Sequence, residues 1–430
     1  MTQSNCCGGA CGSKLILRAV GSAIRPGRLL LAVFCLAILV GGGHVWDVIV
    51  GSWIPAESLS PSAARAVAGQ ASNTIAPFEL TTLLIESAMG SIKVGVMQLD
   101  PSAIVTGTLS LVAGIPMTLW AVGAHWFIIL FGFYALAVLS ISFGIQSRFE
   151  AIVVAEHEPP SSDRLIGESG AMAGNFIGAW VTPLIIAGVL AFMIMLAGLV
   201  LLNIPVVNLL GGVLWGLVVL LGLALAITLL GLAVAGALLL PAVAVDGCGG
   251  PDAMHRAFCG ATTRPLIWLW YVVLIVVGLG LGLIVVETVV GVTVSVTSGL
   301  GETWVFNDVF VEVAAEQSPV AAAASASAGV TEAPSPESSV AAVPTASWTS
   351  VTTASFVAFW MQLLHWLVAG WVLCYFAAAT TRAWMALRLR LDGIAKDDIW
   401  RPGLTPGTLA PVCRDEGDCS AEDDSAKTGD

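Results

Sequence analysis

Asp246-Gly-Cys-Gly-Gly-Pro-Asp-Ala-Met-His-Arg-Ala-Phe-Cys-Gly-Ala-Thr-Thr-Arg264 is a short polar linker between two very long apolar runs. Together the three pieces extend from Gly211 to Val286. Each run exceeds the roughly 20 residues that a helix needs to cross a bilayer. A hairpin of two membrane helices turning on the linker is therefore the first element the chain implies. The rest of the sequence agrees with it. Of 430 residues, 57% are hydrophobic and 11% charged, and the mean hydropathy is +0.91. A soluble domain carries roughly 25% charged residues. A transmembrane barrel would alternate over segments of about ten residues, and no such pattern occurs. The expected fold is all-α, a polytopic helical membrane bundle of about six transmembrane helices.

Spans are expected at about 29–50, 124–146, 176–202, 212–244, 265–290 and 355–380. The first is read as a retained span because it is too long for the apolar core of a signal peptide and lacks a small-x-small cleavage site. Orientation follows from the Lys and Arg bias across loops. With both termini cytosolic, fifteen basic residues lie inside, and only Arg65 and Lys93 lie outside. Most of the formal charge of −12 then falls on the outer face, which disfavours nucleic acid as a partner there. Cys6, Cys7, Cys11, Cys248, Cys259, Cys413 and Cys419 fall inside, with Cys35 and Cys374 in spans, so no disulfide framework is implied. The expected location is the inner (cytoplasmic) membrane, as a multi-pass protein.

The remaining organisation comes from composition. Residues 1–28 form a cytosolic N-terminal segment and 29–300 the membrane domain. Within the first outer loop, about 77–99 is expected to be an amphipathic helix, with Pro77 at its first turn and Glu79, Glu86 and Lys93 seven residues apart. It serves either as a packing helix or as a lid. Leu109–Val122, broken by Gly114 and Pro116, is read as an interfacial or re-entrant piece before the second span, with Trp120 and Trp126 marking the outer interface. Residues 301–350 are rich in Ala, Ser, Val, Thr, Pro and Glu without period and read as a disordered outer linker. Residues 351–400 hold the sixth span and a cytosolic extension, and 401–430 form a disordered acidic tail.

Inside the opening linker, Pro251–Thr262 has helical spacing: Ala253, Met254, Ala257, Phe258 and Ala261 share one face, and Asp252, His255 and Arg256 point away. Asp246-Gly247 precedes this helix, Arg264 follows it, and a second Asp-Gly pair, Asp392-Gly393, follows the sixth span on the same side. These eight polar and glycine positions (Asp246, Gly247, Asp252, His255, Arg256, Arg264, Asp392 and Gly393) make the candidate cytosolic interaction surface. An Asp beside an Arg is more often a structural pair, so that reading stands beside the docking one.

Ionisable residues within spans call for a functional hypothesis. His44, Asp47, Glu287 and His365 could form a proton or ion relay. Most of them lie near the outer span ends, however, and His44, His125 and His365 are each followed closely by a tryptophan, as at an interface. Gly278, Gly280 and Gly282 lie in an apolar span with no preceding strand and read as packing rather than a nucleotide loop. Gly174/Gly178 and Gly212/Gly216 have the spacing that lets helix backbones approach. The cysteine spacing lacks the paired form of zinc ribbons. No metal set, cofactor motif or catalytic constellation is identified, so the chain reads as neither an enzyme nor a cofactor protein.

Several stretches together resemble a family of uncharacterised bacterial polytopic inner-membrane proteins. They are Arg25-Pro-Gly-Arg-Leu-Leu30, Arg148-Phe-Glu-Ala151, Asn203-Ile-Pro205, Pro241-Ala-Val-Ala-Val-Asp-Gly247 with Asp252-Ala253 and Arg264-Pro265, and Leu387-Arg-Leu-Arg-Leu-Asp-Gly393. The linker after the fourth span is more distantly similar to the membrane domain attached to some glycerophosphodiester phosphodiesterases, whose catalytic domain has no counterpart in this sequence. The resemblance implies fold and location but no chemistry. The expected role is a non-catalytic scaffold or permease-like component, whose partners are the lipid bilayer and a protein on the cytosolic side. The alternative is a small-molecule or ion transporter with a cavity between spans.

Overall fold

The computed structural model describes residues 10–50, 54–55, 74–98, 100–203, 207–304, 348–395, 397–402 and 404. The fold is all-α, and six helices among the described residues are long and apolar enough to cross a membrane. In chain order the elements are α1 (Ala10–Leu17), α2 (Ala19–Ala23), α3 (Pro26–Val50), β1 (Ile54–Pro55), β2 (Thr74–Ile75), α4 (Pro77–Gln98), α5 (Pro101–Leu109), a π-helical turn (Ser110–Gly114), α6 (Ile115–Ala121), α7 (His125–Glu156), α8 (Ser162–Asn203), α9 (Val207–Asp246), α10 (Gly250–Thr263), α11 (Pro265–Trp304) and α12 (Trp348–Leu391). The candidate spans lie in α3, α7, α8, α9, α11 and α12.

The helices overrun the apolar runs. The second span, expected to end near 146, continues to Glu156; the third begins at Ser162 rather than 176; the sixth continues to Leu391 rather than 380. Hydropathy measures how far a helix suits hydrocarbon, whereas backbone hydrogen bonding continues wherever no breaker intervenes. The expected linker 301–350 is likewise trimmed by helix at both ends, because α11 runs to Trp304 and α12 starts at Trp348. Its middle, the acidic tail beyond residue 404, Cys6 and Cys7, and the turn at 204–206 lie outside the described residues.

The chain divides into two compact units. Unit 2 comprises 33–135 and 280–370. Its core gathers Ile54, Ile75, Phe78, Leu80, Ile115, Leu119, Ala124, Phe127 and Phe131. A two-residue antiparallel ladder pairs Ile54 with Ile75 and delivers the chain into α4. The helix predicted at 77–99 is α4: Leu80 is buried, Leu83 and Leu84 half-buried, and Glu86 and Lys93 exposed. The piece predicted at 109–122 is helical as far as Ala121, with its π turn just before Pro116. Proline has no N–H to donate to the previous turn, which favours a wider turn there. Asp100 caps α5 by accepting from the Ser102 amide at 2.9 Å. The Ser102 hydroxyl, and after it that amide, hold the Asp100 carboxyl below its ordinary range.

Unit 1 comprises 1–32, 136–279 and 371–430. The linker helix of the opening hairpin is α10, one residue longer at each end than the predicted Pro251–Thr262. Its small face is buried at Gly250, Ala253, Ala257, Gly260 and Ala261. A Cβ at Gly250 would come 2.5 Å from the backbone carbon of Gly178, so α10 meets α8 with no side chain between them. The close approach expected of Gly178 is thus made to the linker helix. Gly174 and Gly216 have no neighbour of this kind. Phe258 fills the notch at Gly231 of α9, where a Cβ would come 2.7 Å from its ring. Gly278 is a packing position, as predicted: the Tyr375 hydroxyl sits against it while donating to the Ile275 carbonyl at 3.0 Å.

Candidate functional site

The most organised chemistry in unit 1 is a set of three charge clusters. The first is built where α9 ends. Asp246 is the last helical residue, and Gly247 turns the chain with φ +64°, a left-handed conformation that glycine adopts without strain. Arg388, in the last turn of α12, donates to Asp246 at 2.6 Å, and Arg256 of α10 reaches the other carboxylate oxygen at 3.5 Å. Asp246 and Arg388 are both buried. Arg256 was expected to point away from the linker's apolar face with Asp252 and His255. It is instead half-buried and turned to Asp246, while Asp252, His255 and Arg264 are exposed. A long guanidinium stem can bury its methylenes and still reach a carboxylate at the edge.

Asp392-Gly393 does not join this cluster by side chain. Asp392 and Gly393 are exposed and terminate α12, with Gly393 at φ +69° in the position helices favour for left-handed glycine. The turn sends residues 394–395 and 397–400 back over the same cluster. Arg388 donates to the Ala395 and Asp398 carbonyls, and the Trp400 amide donates to the Val245 carbonyl at 2.8 Å. The Trp400 ring covers Gly247, where a Cβ would run into it. Gly247 therefore needs glycine twice, for its φ and for this contact.

The second cluster centres on Arg148 of α7, which is fully buried. It donates to Glu168 of α8 at 2.6 and 2.9 Å, to the Ala244 carbonyl of α9 at 2.8 Å and to the Trp400 carbonyl at 2.8 Å. One side chain thus ties three helices and the extension after α12. Glu168 also accepts from Arg164 at 2.8 Å, and Arg164 grips Glu156 with two bonds of 2.7 and 2.9 Å. Bidentate pairs of this kind are among the stronger charged hydrogen bonds.

The third cluster centres on Glu150, also fully buried. It accepts from Arg28 of α3, from Arg382 of α12 and from the Ser22 hydroxyl of α2. Arg28 donates further to the Gln146 side chain at 2.8 Å, and Arg382 to the Leu15 carbonyl at 2.9 Å. The two short N-terminal helices are held against α7 and α12 by these bonds. Two guanidiniums and a hydroxyl take three of the roughly four lone-pair sites of this carboxylate. Glu150 thus ties these helices together.

The four residues considered for a relay lie in unit 2. Asp47 accepts from the Phe78 amide at 2.9 Å and so caps α4. His44 is exposed and meets Phe78 edge-on at 5.1 Å. Glu287 is paired with Lys93 of α4 at 2.6 Å, half in solvent, and His365 is exposed. The structure thus brings His44 and Asp47 to the start of α4, and gives Glu287 to the far part of that helix.

Sequence reasoning did not single out Arg28, Arg148, Glu150, Glu168 or Arg382. The three arginines read there as loop charges that set orientation, since their partners lie 20 to 232 residues away. Among the described residues no three His, Cys, Asp or Glu side chains converge as metal ligands would. The chain matches no protein-family model, no curated protein and no solved structure.

Proposed function

We propose that this integral membrane protein is a non-catalytic component of the cytoplasmic membrane, scaffold or permease-like in character, which docks a protein partner on its cytosolic face. The proposal includes membership of the inner-membrane family that the sequence resembles. The observation that carries it is the construction of α10. Its small face is packed without side chains between it and α8, its base is fixed by Asp246, Arg388 and Arg256, and its outer face leaves Asp252, His255 and Arg264 exposed. A polar surface held rigidly is the arrangement that binds a partner at low ordering cost. The exposed turn at Asp392-Gly393 extends that surface. The buried arginines and carboxylates, by contrast, are engaged in joining helices.

The test is a photo-crosslinking residue placed singly at 252, 255, 264 or 392 in native membranes. A discrete protein adduct from these positions, lost on Asp252→Arg and absent from position 220 on α9, supports docking. A purified, reconstituted chain that moves a solute with no partner present rejects it in favour of a transporter.

A further inference from the structure

The segment after Gly393 sits on α7, α9 and α12 as a bound peptide sits on a receptor. Arg388 donates to the Ala395 and Asp398 carbonyls, and Arg148 donates to the Trp400 carbonyl at 2.8 Å. The Trp400 amide donates to the Val245 carbonyl at 2.8 Å. Ala395, Asp397, Asp398, Arg401 and Pro402 are exposed, whereas Ile399 is buried and the Trp400 ring lies against Gly247. We propose that this seat is a peptide-binding site for a tryptophan-bearing segment of a protein partner, and that the chain's own Trp400 segment fills it in cis as a releasable stand-in.

Recognition is the first argument. Main-chain groups are common to every peptide, so three carbonyls and one amide give affinity without fixing a sequence, and a side-chain pocket supplies the specificity. The pocket here is the bare floor at Gly247, with the Arg148 guanidinium 5.8 Å from the ring centroid. The indole N–H donates within the segment, to the Leu404 carbonyl at 3.0 Å, so the seat asks the ring for packing alone. Tryptophan is among the side chains enriched as interface anchors.

Release is the second. The buried guanidiniums keep acceptors when the segment leaves: Arg148 retains Glu168 and the Ala244 carbonyl, and Arg388 retains Asp246. Opening therefore strands no buried charge, in contrast to parting the helices around Glu150. The Arg401–Glu156 pair, at 3.3 Å and half in solvent, holds the segment weakly. Exposed Gly393, at φ +69°, supplies the hinge. That the incoming segment belongs to a docked partner rests on the reading of α10, which starts three residues after Gly247; the seat itself does not.

The experiment uses the full chain in mild detergent and a fluorescein-labelled synthetic peptide, Ile-Ala-Lys-Asp-Asp-Ile-Trp-Arg-Pro-Gly-Leu, copied from 394–404. A tethered segment competes at an effective concentration of about millimolar, so the unaltered chain should bind the peptide weakly. Trp400→Ala, which vacates the seat, should bind it at least tenfold tighter by fluorescence anisotropy. Peptide with alanine in place of its tryptophan should lose that gain. Equal affinity for the unaltered and Trp400→Ala chains, or for the two peptides, overturns the proposal. Hydrogen exchange of the unaltered chain decides the matter where Trp400→Ala does not fold. Peptide in millimolar excess should speed exchange of the Trp400 amide at least threefold by displacing the tethered segment, and leave α10 unchanged. Exchange that the peptide does not alter overturns the seat, whereas crosslinking from position 252 judges partner docking separately.

Discussion

Replacing Glu150 by Gln should be among the most damaging conservative changes in this protein. Glu150 is fully buried and its two oxygens meet the guanidiniums of Arg28 and Arg382, both nearly buried themselves. An ion pair at about 4 Å with an effective dielectric near 20 is worth about 4 kcal/mol, so two pairs amount to roughly 8 kcal/mol of gross attraction. Desolvation and repulsion between the arginines offset much of it. Removing the carboxylate, however, leaves both cations buried without a counter-charge, and breaking a buried pair in this way costs about 3–5 kcal/mol. The assay is reversible unfolding of the purified protein from mild detergent into sodium dodecyl sulfate, followed by tryptophan fluorescence. Lys93→Met serves as the reference, since the Lys93–Glu287 pair is half in solvent and should cost no more than about 1 kcal/mol. A Glu150→Gln loss of under about 1 kcal/mol, equal to the reference, would refute the assignment of Glu150 as the tie between α3, α7 and α12. The double variant Glu150→Gln, Arg382→Met should recover part of the loss, because one of the stranded charges is gone.

The other predictions concern glycines and thiols. Gly250→Ala should destabilise by about 1–3 kcal/mol in the same assay, since the new Cβ meets Gly178 backbone, which cannot rotate away. Gly247→Ala should cost more than Gly393→Ala: both carry positive φ, worth about 1–2 kcal/mol, but only at Gly247 does the Cβ also meet the Trp400 ring. Burial pushes the Cys248 thiol up to about 12. It should therefore stay unalkylated at pH 8 in delipidated protein and begin to react only as the pH approaches that value or the protein unfolds, whereas exposed Cys259 reacts at pH 8. Peptide mapping of the labelled protein distinguishes the two.

The spans, the amphipathic helix α4 and α10 were legible because each is a local pattern. A long uncharged run, or apolar residues three and four apart, can be recognised without knowing what the segment touches. The Asp246 neighbourhood was legible in part: an Asp-Gly at the end of one span and a second after the sixth suggested one face, and the structure joins Asp246 to Arg388, four residues before that second pair. The Glu150 and Arg148 clusters were not legible. Arg28, Glu150 and Arg382 are separated by more than a hundred residues, and nothing local distinguishes an arginine that flanks a membrane from one buried between helices. Arg256 was misplaced for a related reason, since helical position assigns a Cβ direction and not the reach of a flexible side chain.

Orientation underlies the proposed docking surface, and it rests on the expectation that fifteen basic residues lie inside and two outside. Its most direct test uses a membrane-impermeant maleimide on Asp252→Cys in α10 and Glu86→Cys in α4, in intact cells and in inverted membrane vesicles. The account predicts that Cys at 86 is labelled only in cells and Cys at 252 only in inverted vesicles. Labelling of position 252 from outside intact cells, or of position 86 from the vesicle exterior, would contradict it.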